Sequence, residues 1–387
     1  MIRTYSYKLY NSKANKNLVK LVELSGEIYN HCIALHNRYY RLYKVHLNKV
    51  KLQSHLAKLK KLEQYKHWNN LNSQAIQDIT DRIERSYTLF FRNLKRKIKY
   101  SPPSFKKRSK YKSFTLKQSG YKFSDDNTIL IQKKSYKYFK SREFEGKIKT
   151  VTIKRDTIGN FYIFIVCELD NSTNLNKTRS GKSVGLDFGL KTYLTLSNNT
   201  NIESPLFFKQ SKNKLRKCHK ILSSKKKGSN NRKKAIINLA RTHNKIVNQR
   251  KDFQFKLAKK LCKEYDTLCI EDLNIKDMQK RWGRKVSDLA HSNFVSILKH
   301  QSLKYGVDLI EIDRYYASTK TCSFCNSKND NLELSDRVWT CPTCGEILHR
   351  DLNASINILR VGTSTLNGVS VKPLSEVTND DVRIPCL

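Results

Sequence analysis

Residues Ile2–Leu9 alternate between apolar and polar side chains and predict a strand, after which the spacing becomes helical. Leu18, Leu21, Val22, Ile28, Tyr29, Cys32 and Leu35 fall on one face of a first helix. Leu52, Leu56, Leu59 and Leu62 mark a second, crowded by lysines. Ile76, Ile79, Ile83, Tyr87, Phe90, Phe91 and Leu94 mark a third, with Asn72 placed to cap it and Ser101-Pro102-Pro103 to stop it. The basic stretch from Ser104 to about Gln118 has no helical pattern. Strands are predicted over 128–132, 150–155 and 161–169, the last two joined by a turn at Ile158-Gly159-Asn160. Residues 171–182 are polar and turn-rich, which makes them the expected boundary between two halves.

The second half opens with SVGLDFGLKTYLTLSNNTNIE, read as a strand, a tight turn and a second strand. A long basic stretch, 209–263, follows, helical in its second half by the spacing of Ile236, Leu239, Ile246, Phe253, Leu257 and Leu261. Thr267–Glu271 and Val307–Ile312 read as short buried strands flanking a helix over about 287–305. A final helix carries Leu352, Ile356 and Leu359, and 362–387, without periodicity, reads as a loose tail.

Charge changes the picture most. The 387 residues carry 76 Lys+Arg against 33 Asp+Glu, a net charge of +43. That excess attracts polyanions by counterion release, and the interleaved Tyr and Phe can stack on bases, so nucleic acid is the expected partner. No segment approaches the ~18 apolar residues of a membrane span, and the start, MIRTYSYKLYNSK, shows no apolar leader core. An intracellular, reducing location is expected, in which ten cysteines argue for metal or burial rather than disulfides.

Cys322-x2-Cys325 and Cys341-x2-Cys344 have the spacing of a four-thiolate zinc site, closed and therefore structural. Disulfides or iron in the same cage are the alternatives, and His349 is a rival ligand. Asn326 and Gly345 follow the two pairs, where a left-handed residue is needed. Three acids sit where an apolar element gives way to a polar one: Asp187 and Glu271 at strand ends, Asp351 at the start of the last helix. Converging, they would hold two hard divalent cations able to activate water and stabilise the leaving oxygen of a phosphodiester. Each also has a plainer reading: Asp187 as a turn residue, Glu271 as solvated in place of Asp272, Asp351 as a helix cap.

The blocks VGLDFGLK, IEDLNI, ASTKTCSFC…WTCPTCG and RDLNASINIL, in this order, resemble the TnpB family of insertion-sequence OrfB proteins, compact RNA-guided DNA nucleases related to type V CRISPR effectors. The resemblance covers most of the chain and is strongest over 183–360. It implies an α+β multidomain fold: a wedge-type β-barrel from 1–10 and 101–170, a helical recognition insert at 11–100, a linker at 171–182, a RuvC-like, RNase H-type nuclease domain from 183–320 and 346–361, a zinc-binding insert at 321–345, and the tail 362–387. It implies that Asp187, Glu271 and Asp351 are catalytic and bind two Mg2+ ions, that the four cysteines bind zinc, and that the partners are a guide RNA from the chain's own mobile element and target DNA, double- and single-stranded. A cytoplasmic, nucleoid-associated monomer is expected, with no membrane partner. His349, Ser355 and Asn326 depart from residues common in the family, acidic, Ala and Gly in that order. A transposase proper and a non-cleaving guided DNA-binding regulator are the alternative functions.

Overall fold

The structure is a computed structural model that describes residues 2–124, 126–169, 179–333 and 335–367. The chain divides into two compact units, Met1–Thr173 and Asn174–Leu387.

The first unit begins with β1 (Ile2–Lys8), followed by three helices, α1 (Asn15–Tyr43), α2 (Lys49–Leu59) and α3 (Ser73–Lys95). Six strands follow: β2 (Ser113–Leu116), β3 (Tyr121–Ser124), β4 (Thr128–Ile131), β5 (Lys134–Lys137), β6 (Lys147–Arg155) and β7 (Phe161–Glu168). They make an antiparallel sheet in the order β1-β7-β6-β2 and a smaller one, β3-β4-β5. A bridge between Leu9 and Tyr138 joins the two sheets. In β7 the alternation is strict: Phe161, Ile163, Ile165 and Cys167 point into the core.

α3 forms where its apolar stripe and cap predict, with Asn72 Oδ1 accepting from Gln74 N at 2.9 Å. Its polar side ties down the sheet. Arg82, paired with Asp78 at 2.6 Å, donates to the Thr115 hydroxyl on β2 at 2.6 Å. Gln74 Oε1 accepts from the backbone N–H groups of Lys117, Gln118 and Ser119. β3 and β5, four residues each, lie outside the predicted strands, as does β2 inside the basic stretch.

The second unit opens with β8 (Ser183–Asp187), β9 (Thr192–Leu196) and β10 (Asn201–Glu203). Two long helices, α4 (Phe207–Ser223) and α5 (Asn230–Glu264), then pack on one another. β11 (Thr267–Glu271), α6 (Ile275–Leu289), α7 (His291–Tyr305) and β12 (Asp308–Ile312) follow, then a hairpin of β13 (Val338–Thr340) and β14 (Ile347–His349), and α8 (Arg350–Asn367). The sheet order is β10-β9-β8-β11-β12, with β8, β11 and β12 parallel and β9 antiparallel to both β8 and β10.

Beyond β10, β13, β14 and most of α6, which the sequence left unassigned, three further elements differ from expectation. The helix expected over 287–305 begins at His291, because Ala290 takes a left-handed conformation that ends α6. Gln254 holds this break by donating to the carbonyls of Leu289 and Ala290. The basic run 209–223, unassigned in sequence, is helical. Its only buried apolar residues are Leu215 and Cys218, and Asp288 of α6 caps its first turn by accepting from Phe208 N and Lys209 N. α8 reaches Asn367, so 362–367 are helix rather than tail, with Gly362 placed against Cys269 of β11. Residues 368–387, and 171–178 of the linker expected at 171–182, lie outside the described residues.

Candidate metal centres of the second unit

β8 and β11 run parallel with Thr267 opposite Ser183 and Ile270 opposite Leu186. Continuing that register by one residue sets Glu271 beside Asp187 at the C-terminal edge of the sheet. Crevices outside the C-terminal ends of strands are where open sheets of this kind hold ligands. The turn after Asp187 is held tightly. A Cβ on Gly189 would stand 2.5 Å from the Thr192 carbonyl oxygen, and Phe188 packs edge-on against His291 and Phe294.

Asp351 arrives from the other side, as the second residue of α8, which lies across β8 and β11. The approach depends on Gly185. A Cβ there would sit 2.1 Å from the Ser355 carbonyl oxygen and 2.7 Å from Leu359 N. α8 therefore rests on bare β8 backbone, one turn from Asp351.

Asp187 feels the charge of both other carboxylates. Asp187 is buried, and its pKa is raised to about 7 by burial first, then by the charges of Asp351 and Glu271, with Arg350 opposing. Burial, then the neighbouring Asp272, raises Glu271 to about 7 as well. Asp272 itself is paired, with Arg314 Nη2 donating to its carboxylate at 2.6 Å. Asp351 is a third exposed, and Arg337 approaches it at 3.6 Å. A buried carboxylate facing two others in a chain so rich in cations is the donor chemistry of hard divalent ions such as Mg2+. Among the described residues, only the cysteines bring three or more ligand atoms within 4.8 Å of one another. The three carboxylates do not form so tight a group.

The cysteine knuckle is built from two like turns. Asn326 N donates to the Cys322 carbonyl and Cys322 N to that of Ser327. Gly345 N donates to the Cys341 carbonyl and Cys341 N to that of Glu346. Asn326 and Gly345 are both left-handed, at φ 66° and 75°. The turns point four sulfurs at one place, with Cys322–Cys344 and Cys325–Cys341 Sγ separations of 3.8 and 3.6 Å. A tetrahedron of ~2.3 Å zinc–sulfur bonds requires sulfurs about 3.8 Å apart. The four cysteines therefore fit zinc without rearrangement. His349 lies in β14, opposite Val338, outside this group.

Sequence reading missed what lies between the two centres. Asn353 and Asn357, on one side of α8, are almost wholly buried and bind the backbone leading into the first cysteine turn. Asn353 accepts from Ser323 N and donates to the Thr321 carbonyl, both at 2.8 Å. Asn357 donates to the carbonyls of Thr321 and Ser318 at 2.6 and 2.9 Å, and Arg360 to that of Ser323 at 2.8 Å. The available signal was polar residues at helical spacing inside an otherwise apolar helix.

The family model described as "Probable transposase", that of the OrfB proteins, matches residues 164–282, and "Cas12f1-like, TNB domain" matches 291–358. A Streptomyces pristinaespiralis protein named "Putative RNA-guided DNA endonuclease" is 30% identical over 334 residues, 84% of this chain and 81% of that protein. The chain belongs to the OrfB/TnpB family. Another relative, "Putative RNA-guided DNA endonuclease InsQ" of Escherichia coli, is 28% identical over 88% of this chain and 87% of its own. The chain folds like that of a solved Cas12f1–sgRNA–target DNA complex, at a TM-score of 0.60 and 14% identity, covering 92% of this chain and 98% of that one. This chain and the Cas12f1 chain thus share a mixed α/β fold. Among the described residues, no helix is long and apolar enough to cross a membrane.

Proposed function

We propose that this chain is an RNA-guided DNA endonuclease of a mobile element, cutting target DNA beside a short duplex motif. The observation that supports the reading is Asp187, buried at the C-terminal end of β8 beside β11 and near enough to Asp351 and Glu271 to feel both charges. A strand order of three antiparallel strands followed by two parallel ones, with a closing helix, is what a RuvC-like, RNase H-type domain requires. The two sheets of the first unit serve as the wedge-type barrel, and α1–α3 as the recognition insert. The names of the relatives and the guide RNA and target DNA in the Cas12f1 complex support the choice of partners. A net charge of +43 supplies the attraction to nucleic acid backbone. Target sequence would be read by pairing with the guide, and backbone by the protein.

In this reading Asp187, Glu271 and Asp351 hold two Mg2+ ions, which supply an activated water and a countercharge for the leaving oxygen. The chain's own contribution is placement. Gly185 and Gly189 fix the height of α8 and the turn after Asp187, while burial leaves Asp187 needing positive charge. Cys322, Cys325, Cys341 and Cys344 hold a structural zinc with no open position. The setting is the cytoplasm, at the nucleoid.

The test is made on protein co-expressed with the DNA flanking its own gene. Co-purifying RNA is sequenced, and the complex is incubated with a plasmid that matches the RNA's 3′ end beside a randomised motif, with Mg2+ or EDTA. Mg2+-dependent linearisation beside one motif supports the proposal. Guided binding without cutting would instead leave a DNA-binding regulator, and absence of a discrete RNA would remove the guided reading.

A further inference from the structure

The two centres of the second unit share one helix. Asp351 lies in the first turn of α8, and Asn353, Asn357 and Arg360 follow at helical spacing on the side that meets the cysteine knuckle. Asn353 is 1% exposed, Asn357 0% and Arg360 4%. Their donors satisfy the carbonyls of Ser318, Thr321 and Ser323, and the Asn353 acceptor takes the N–H of Ser323. Cys322 stands between those last two residues. The backbone that aims the Cys322 sulfur is therefore fixed by α8 side chains on both flanks.

Arg360 adds charge to this geometry. Its guanidinium is buried, and its Nη2 has no hydrogen-bond partner. Burial lowers its pKa from the ordinary value, opposed first by Tyr316 and then by Cys322. Four thiolates around Zn2+ carry a net double negative charge, and a buried cation beside one of them offsets part of it.

We propose that Asn353, Asn357 and Arg360 are positioning residues that couple the zinc knuckle to the carboxylate centre through α8, so that occupancy of one metal site favours occupancy of the other. Zinc sets the Cys322 turn, the turn sets the axial position of α8, and α8 sets Asp351 against Asp187. This rests on the reading of the carboxylates as a divalent-metal site. Coupling of this kind is reciprocal: ions at the carboxylates tighten zinc binding by the factor by which zinc tightens theirs.

The experiment uses the full-length protein loaded with zinc. Zinc affinity is measured by equilibrium competition with a zinc-selective fluorescent chelator, with and without saturating Mg2+. Binding at the carboxylates is followed separately by the loss of the free Mn2+ paramagnetic resonance signal. In the wild type, Mg2+ is expected to tighten zinc by about fivefold or more. Asn353→Ala and Asn357→Ala are expected to retain zinc yet reduce this factor to below about twofold, and Asn353→Ala to weaken Mn2+ binding by about the factor lost. A purely structural role would lower the melting temperature and leave the coupling factor intact, which overturns the proposal. So does wild-type protein that binds Mn2+ with zinc affinity unmoved by Mg2+, a measurement that stands even when the variants do not fold. Wild-type protein that binds no Mn2+ refutes the carboxylate site itself, and the coupling with it.

Discussion

Adding a single methyl group at Gly185 should cripple the enzyme without touching a carboxylate or a cysteine. The Cβ of Gly185→Ala would stand 2.1 Å from the Ser355 carbonyl oxygen and 2.7 Å from Leu359 N. Both are backbone atoms of α8, so no rotamer change relieves the contact. Ordinary carbon–oxygen contact needs about 3.4 Å, and the helix or the strand must give way by roughly 1 Å. Overpacking of this kind costs about 1–3 kcal/mol. In a unit this size, that lowers Tm by about 2–4 °C for each kcal/mol. The effect on rate should be larger, because α8 carries Asp351 one turn away, and a misplacement of about 1 Å can cost about a hundredfold. The assay pairs thermal melting with guided plasmid cleavage over a Mg2+ titration. The expected result is a folded protein, modestly less stable, with cleavage down about a hundredfold and guide RNA binding unchanged. Gly185→Ala protein that melts and cuts like wild type would refute the argument that α8 rests directly on β8.

Other perturbations separate the parts of the molecule. Asp187→Ala should abolish cleavage while leaving RNA and target binding intact in gel-shift assays, since it removes a proposed metal ligand and no basic contact. Cys341→Ser should lose zinc, soluble yield and activity together, measured by metal analysis and melting, because metal binding at such a site is part of folding. His291 is 1% exposed, and burial holds its pKa near 4, well below the ordinary value, so it folds neutral. The unfolded chain then takes up the extra proton: this stability is full above pH 6.5 and is lost as pH falls toward 4. By pH 5 the loss should reach about 2 kcal/mol, read from denaturant midpoints, and His291→Phe should flatten that dependence. Asn72→Ala should cost about 1 kcal/mol through the lost cap of α3, read from the same unfolding curves.

The parts of the fold legible in the sequence were those that a buried face writes into it. α3 repeats its apolar residues at helical spacing behind a capping Asn, and β7 alternates strictly, so both stand out. Thr267–Glu271 was legible to the residue because both of its faces are covered. α4 was not, because it buries little but Leu215 and Cys218, and its cap comes from Asp288, eighty residues on. The break at Ala290 was hidden for a related reason: Gln254, distant in sequence, supplies the hydrogen bonds that hold it. At the candidate site, spacing alone located the cysteines, and element ends located the carboxylates. The adjacent pair Glu271 and Asp272 is ambiguous in sequence, and the pairing of Asp272 with Arg314 favours Glu271. The Asn353–Asn357–Arg360 stripe could be seen in the sequence but not interpreted, because its partners are backbone carbonyls, which no side-chain pattern records.

A metal knuckle directly ahead of an aspartate follows from the chain's path. The carboxylate edge draws Asp187 and Glu271 from adjacent strands, whose mutual placement the sheet fixes at no further cost. Asp351 has no such neighbour. It sits at the start of a helix, beside chain ends that fray unless held. β14 delivers the chain into α8 without a loop, and Arg350 N donates to the Arg337 carbonyl on the opposing segment. The knuckle gives that short hairpin a fixed base that its few apolar residues, Leu332, Trp339 and Leu348, are too few to provide. Asn353 and Asn357 then return the connection from the helix to the first cysteine turn. Asp351 is thus gripped from before and after in the chain, which is the rigidity that two strand-borne carboxylates receive from the sheet alone.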